Sequence, residues 1–118
     1  MKLVTRKQMA RAKRGGISAT RLAEMIEQAT VDAYGESEQA TGWFSMLEEH
    51  LVLPFETEVL GMSVRVTRLD LRDDDRLVAI CTRGRVQQAI GLADLPLPAP
   101  MPPGAEWIAA YRRWLGAR

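Results

Sequence analysis

Between Leu22 and Leu51 the apolar residues fall into two helical stripes. Leu22, Met25, Ile26, Ala29 and Ala33 recur three or four residues apart, which puts them on one face of a helix. Ser18 or Thr20 can cap its start by accepting a bond from a backbone N–H. Gly35 is placed to end it in a left-handed conformation. A second helix is expected from about Ser37 to Leu51, with Ala40, Trp43, Met46, Leu47 and Leu51 as its stripe. Pro54 blocks its continuation. Two helices joined so tightly should pack as a hairpin.

After Pro54 the period changes from helical to alternating. Phe55, Thr57 and Val59 oppose Glu56 and Glu58, and Met62, Val64 and Val66 oppose Ser63, Arg65 and Thr67. Gly61 marks a bend or bulge between the two runs. Asp73, Asp74 and Asp75 read as a turn. Leu77 to Cys81 reads as a central strand, and Arg83–Gly84–Arg85 as a tight hairpin leading into Val86, Gln88 and Ile90. Gly91 to Leu95 has the look of the helical turn that closes small SH3-like barrels. Pro96, Pro98, Pro100, Pro102 and Pro103 form an extended strap. A last helix should follow from Ala105, with Trp107, Ile108, Tyr111, Trp114 and Leu115 on its apolar side.

The order of two helices, about five strands, a strap and a helix implies an α+β domain. The expected architecture is an N-terminal helical hairpin packed on a small SH3-like antiparallel barrel or meander, with a C-terminal helix. Residues 1–17 read as a flexible basic arm, part of which, Arg6 to Arg14, could form a short helix. Residues 18–118 read as one domain: hairpin 18–52, meander 55–97, strap 98–104 and helix 105–116.

Charge sharpens the picture. The net charge of +1 hides a segregation. Residues 1–21 carry seven Lys and Arg and no acid, residues 22–64 carry nine acids and no Lys or Arg, and residues 65–118 carry nine Arg against six acids. This suggests an acidic face and a basic tail. The tail could fold back onto that face, or touch nucleic acid or an acidic lipid surface. Without interleaved aromatics it offers only nonspecific attraction to nucleic acid, which is disfavoured as a partner. No apolar run reaches the roughly 18–20 residues of a membrane span. The basic start is not followed by an apolar stretch, so a secretory signal is not expected. The single Cys81 permits no internal disulfide, which favours a reducing cytoplasm.

The residues argue against an enzyme. One histidine, His50, and one cysteine are too few for a zinc site or a nucleophile–base set. Gly15–Gly16 lacks the strand–loop–helix context of a phosphate loop. Carboxylates are plentiful. Asp32, Glu36 and Glu38 cluster at the helix junction, and Glu48 and Glu49 lie near the end of the second helix. Glu24 and Glu27 should approach the latter pair across the hairpin. Hard cations such as Ca²⁺ want about six to eight oxygens from carboxylates, carbonyls and water. The run from Asp32 is not an EF-hand loop: its sixth position is Ser37, not Gly, and its twelfth is Trp43, not Glu. Acidic helix starts can equally serve the helix dipole. A second acidic group, Asp70 with Asp73, Asp74 and Asp75, reads as a polar turn neutralised by Arg72 and Arg76.

One segment carries more than composition. Asp32-Ala33-Tyr34, then Glu38, Gly42-Trp43, Leu47-Glu48-Glu49 and Pro54-Phe55 resemble the signature of the CcbP-type bacterial calcium-binding family. The likeness runs more loosely over about residues 22–115. The resemblance implies a compact α+β protein of the cytoplasm that binds Ca²⁺ through surface carboxylates rather than an EF-hand, in buffering or sensing. Carried over by motif position, the acids are Asp32, Glu36, Glu38, Glu48 and Glu49. The rival reading is an SH3-like module that meets a protein or nucleic acid through its basic arm, with calcium binding lost.

Overall fold

The computed structural model of the chain describes residues 17–117. The basic arm expected over residues 1–17, with its short helix, lies outside the described residues except for Ile17. Three helices and four strands follow: α1 (Ala19–Thr30), α2 (Glu36–His50), β1 (Phe55–Val59), β2 (Met62–Leu71), β3 (Leu77–Arg83), β4 (Val86–Gly91) and α3 (Glu106–Ala117). The strands form an antiparallel sheet in the order β1-β2-β3-β4. The architecture is α+β, as the periodicity implies.

The sheet departs from expectation at three points. Four strands form where about five were expected, because β2 runs unbroken over Met62–Leu71. β1 and β4 are its two edges, so the SH3-like barrel closure is not seen among the described residues. Leu60 and Gly61, both at positive φ, make the two-residue turn that pairs Val59 with Met62. Gly61 therefore belongs to a hairpin turn, not to a bulge. The bulge lies further on, where the β2–β3 register shifts between Val66 and Arg68. The extra residue, Thr67, donates its hydroxyl to the Ile80 carbonyl at 3.2 Å. The shift lets Val66 and Leu69, three residues apart, both point into the core.

The helices cover one end of one sheet face. Ser18 caps α1, its hydroxyl accepting from the Arg21 N–H at 3.0 Å. Met25 and Ala29 of α1, Trp43 and Leu47 of α2, Trp107, Ile108, Ala110 and Tyr111 of α3 and Val66, Leu69, Leu77 and Ala79 of the sheet share a single buried cluster. Trp43 is fully buried at its centre. It meets Trp107 and Tyr111 edge-on, with centroids at 6.4 and 5.6 Å, geometries that suit the ring quadrupoles. α1 and α2 cross at Gly42: a Cβ there would lie 2.1 Å from the Ala29 carbonyl oxygen. A glycine is the residue that permits this approach.

The strap closes the β1 side. Thr57 donates its hydroxyl to the Pro96 carbonyl at 2.7 Å, and the Val52 N–H bonds the Pro103 carbonyl at 3.0 Å. Arg112 of α3 donates to the carbonyls of Leu92 and Leu95, fixing the loop after β4. Its guanidinium is partly desolvated there, which lowers its pKa, while Asp94 acts in the opposite sense.

Candidate metal centre

The α1–α2 junction begins where α1 stops at Thr30. Asp32, not Gly35, takes the left-handed conformation, at φ 58. Aspartate tolerates it better than most residues. Gly35 is extended and stands at the N-cap of α2. Having no side chain, it leaves the capping to others. Glu38 reaches back to accept the Tyr34 N–H at 3.3 Å, and Glu36 and Glu38 place negative charge in the first turn of α2, where the helix dipole favours it. Asp32, Glu36 and Glu38 are all exposed.

The turn between β2 and β3 is built around the three aspartates, as expected. The Asp75 N–H bonds the Arg72 carbonyl at 2.9 Å, and Asp75 sits at φ 67. Arg72 pairs with Asp70 at 3.3 Å and Arg76 with Asp74 at 2.7 Å. The side-chain bond from Arg76, helped by its backbone N–H, holds the Asp74 carboxyl below the usual aspartate range.

The fold joins these two acidic segments. The Ser37 hydroxyl donates to Asp75 Oδ2 at 2.9 Å. Glu36, Asp74, Asp75 and Asp94 then line one pocket of about 300 Å³, with Arg76 and Tyr111 in its wall. Asp94 comes from the turn after β4, where its N–H bonds the Gly91 carbonyl. In the sequence the two acidic groups stand apart, and Asp94 belongs to neither. Positions 36, 74–75 and 94 share no local pattern; only the tertiary fold brings them together.

Glu48 and Glu49 lie elsewhere. They are exposed on the last turn of α2, roughly 18 Å from Glu36 at 1.5 Å per residue. Glu49 lies 3.9 Å from His50, whose ring stacks on Trp107 at 4.8 Å. Glu24 and Glu27 line a separate groove with Val31 and Met46; Glu48 and Glu49 are not part of its wall. The five acids thus fall at two ends of one helix.

The donor chemistry around the pocket, carboxylates and turn carbonyls, is that of a hard cation. Among the described residues, no three His, Cys, Asp or Glu side chains converge closely enough to hold a metal as they stand. Cys81 is buried in the sheet, and desolvation raises its thiol pKa, as expected of a core residue. Among the described residues no helix is long and apolar enough to cross a membrane.

A search of the curated proteins returns no match. The fold resembles the crystal structure of Anabaena CcbP, with a TM-score of 0.64 and 21% identity, over 84% of this chain and 92% of that one. At that identity the likeness speaks for the fold. A family model for calcium binding, that of CcbP, matches residues 23–115. That span is most of the chain and contains most of α1, all of α2, the whole sheet and the residues that line the acidic pocket. The chain belongs to the CcbP calcium-binding family.

Proposed function

We propose that this protein binds Ca²⁺ at the acidic pocket between the start of α2 and the β2–β3 turn, and acts without catalysis as a cytoplasmic calcium buffer or sensor. Membership of a calcium-binding family carries the reading, and the presence of Glu36, Asp74, Asp75 and Asp94 in the wall of one pocket supports its placement. Of the acids that the family resemblance implies, Glu36 lines the pocket, while Asp32 and Glu38 belong to the same helix junction. Glu48 and Glu49 belong to the opposite end of α2 and would form a separate, weaker site.

The carboxylates stand around the pocket rather than converged, so a cation must draw them in. That reorganisation costs affinity. Arg76 and Arg112 stand close to the same acids and compete for them. Both effects place the affinity in the weak to moderate range for a calcium protein.

The test is a calcium titration by calorimetry and ¹H–¹⁵N NMR on the full chain, at about 100 mM salt to screen loose charge contacts, with Mg²⁺ as control. Saturable, Ca²⁺-selective shifts at residues 36–38, 73–75 and 94 are expected. Shifts confined to Glu48 and Glu49 would move the site to the other end of α2. The absence of any saturable response below several millimolar would remove calcium from the reading.

A further inference from the structure

The two edges of the sheet are treated differently. The proline strap runs beside β1. Among the described residues nothing runs beside β4, whose residues from Val86 to Ala89 are all exposed. β4 reads Val-Gln-Gln-Ala-Ile-Gly. It has none of the charges or prolines that usually blunt an edge against pairing. Beside it, the helix-facing side of the sheet continues past the core as an uncovered apolar groove of about 320 Å³, lined by Val59, Met62, Val64, Val86 and Ile90. Val86 is 67% exposed and Met62 48%.

We propose that this edge is a homodimer interface, in which β4 pairs antiparallel with β4 of a second copy about a two-fold axis at Gln88. Three features select a second copy. The first is backbone phase. Leu92 bonds Leu77 through its N–H, and antiparallel ladders alternate. Residues 86, 88 and 90 therefore bond inward to β3, and the N–H and C=O of Gln87 and Ala89 point outward. An axis at Gln88 sets Gln87 against the second copy's Ala89, and the reverse, so these outward groups satisfy one another.

The second is side-chain matching. The same register sets Val86 against Ile90 of the other copy, twice by symmetry, on the face of the groove. The third is charge. Arg85 falls opposite Gly91 of the other copy. The Asp94 carboxylate stands beside that glycine, its Oδ2 3.5 Å from where a Gly91 Cβ would be. The two-fold thus brings together two Arg85–Asp94 pairs of opposite sign. A contact of one strand and one groove is smaller than a standard interface of about 800 Å² per partner, so the dimer should be weak and concentration-dependent.

The experiment is sedimentation velocity on the full chain from about 5 to 300 µM, a range that brackets a micromolar dimer, in EGTA so that calcium plays no part. A rise from monomer to dimer across this range is expected. Val86→Lys should weaken it at least about tenfold, as should Arg85→Asp. Combining Arg85→Asp with Asp94→Arg should restore it, which a merely damaged fold would not do. A full chain that stays monomeric throughout, whether residues 1–16 cover the groove or nothing does, overturns the proposal. So does a dimer indifferent to all three variants, since it must use another face.

Discussion

The Ser37 hydroxyl donates to Asp75 Oδ2 at 2.9 Å, across 38 positions of sequence. This bond ties the first turn of α2 to the β2–β3 turn and sets Glu36 beside Asp74 and Asp75. Asn can replace Asp75 with little backbone strain, since it tolerates the left-handed conformation, and its carbonyl oxygen can still accept from Ser37. Asp75→Asn should therefore keep the fold and lower calcium affinity by about tenfold, the loss of one ligand charge. Calorimetry on the variant measures this; an unchanged affinity would take Asp75 out of the site.

The crossing of α1 and α2 rests on a missing side chain. A Cβ on Gly42 would meet the Ala29 carbonyl at 2.1 Å, and helix backbones cannot part locally without disturbing Trp43 next door. Gly42→Ala should destabilise the protein by about 1–3 kcal/mol, the range for overpacking, despite the better helix propensity of alanine. Urea unfolding followed by tryptophan fluorescence gives the value. Stability equal to or above the parent would show that the helices separate at little cost.

Much of the fold was legible because its signals are local. The stripes Met25–Ala29 and Trp43–Leu47 sit in the core as their spacing requires, and the aspartate turn, the hairpin at Gly84 and the last helix fall where the pattern puts them. What failed depends on pairing between distant residues. No period in the sequence says whether β1 and β4 close on each other or stand apart, and the bulge at Thr67 carries no glycine to announce it. The same limit governs the site. Glu36 was visible as an acid at a helix start, but its neighbours Asp75 and Asp94 arrive through the tertiary fold. Glu48 and Glu49 looked like partners of Glu24 and Glu27 across an antiparallel hairpin, but the groove that Glu24 and Glu27 line with Val31 and Met46 does not include them.

Cys81 is 4% exposed on the central strand, and burial raises its thiol pKa. The thiolate is the reactive form, so two effects protect it. In the native protein at pH 8 its reaction with a disulfide reagent such as DTNB should be at least about a hundredfold slower than in denaturant, limited by transient opening. Rapid labelling of the native state would show that the strand opens readily from the groove side.

Arg76 acts on Asp74 through a 2.7 Å side-chain bond and so keeps that carboxyl ionised to lower pH than usual. A carboxyl whose folded pKa is depressed adds stability above its unfolded pKa, and that contribution disappears as pH falls through the lower, folded value. Arg76→Ala should move the Asp74 titration up toward the ordinary aspartate range. The change should shrink at high salt, because the pair is fully exposed and screened. The same substitution removes a cation from the wall of the acidic pocket, so calcium affinity should rise as Asp74 becomes available to the ion. The ¹³C carboxyl titration and a calcium titration of one variant thus test opposite consequences of a single contact. An Asp74 titration that moves up while calcium affinity stays constant would mean that Asp74 lines the pocket without holding the ion.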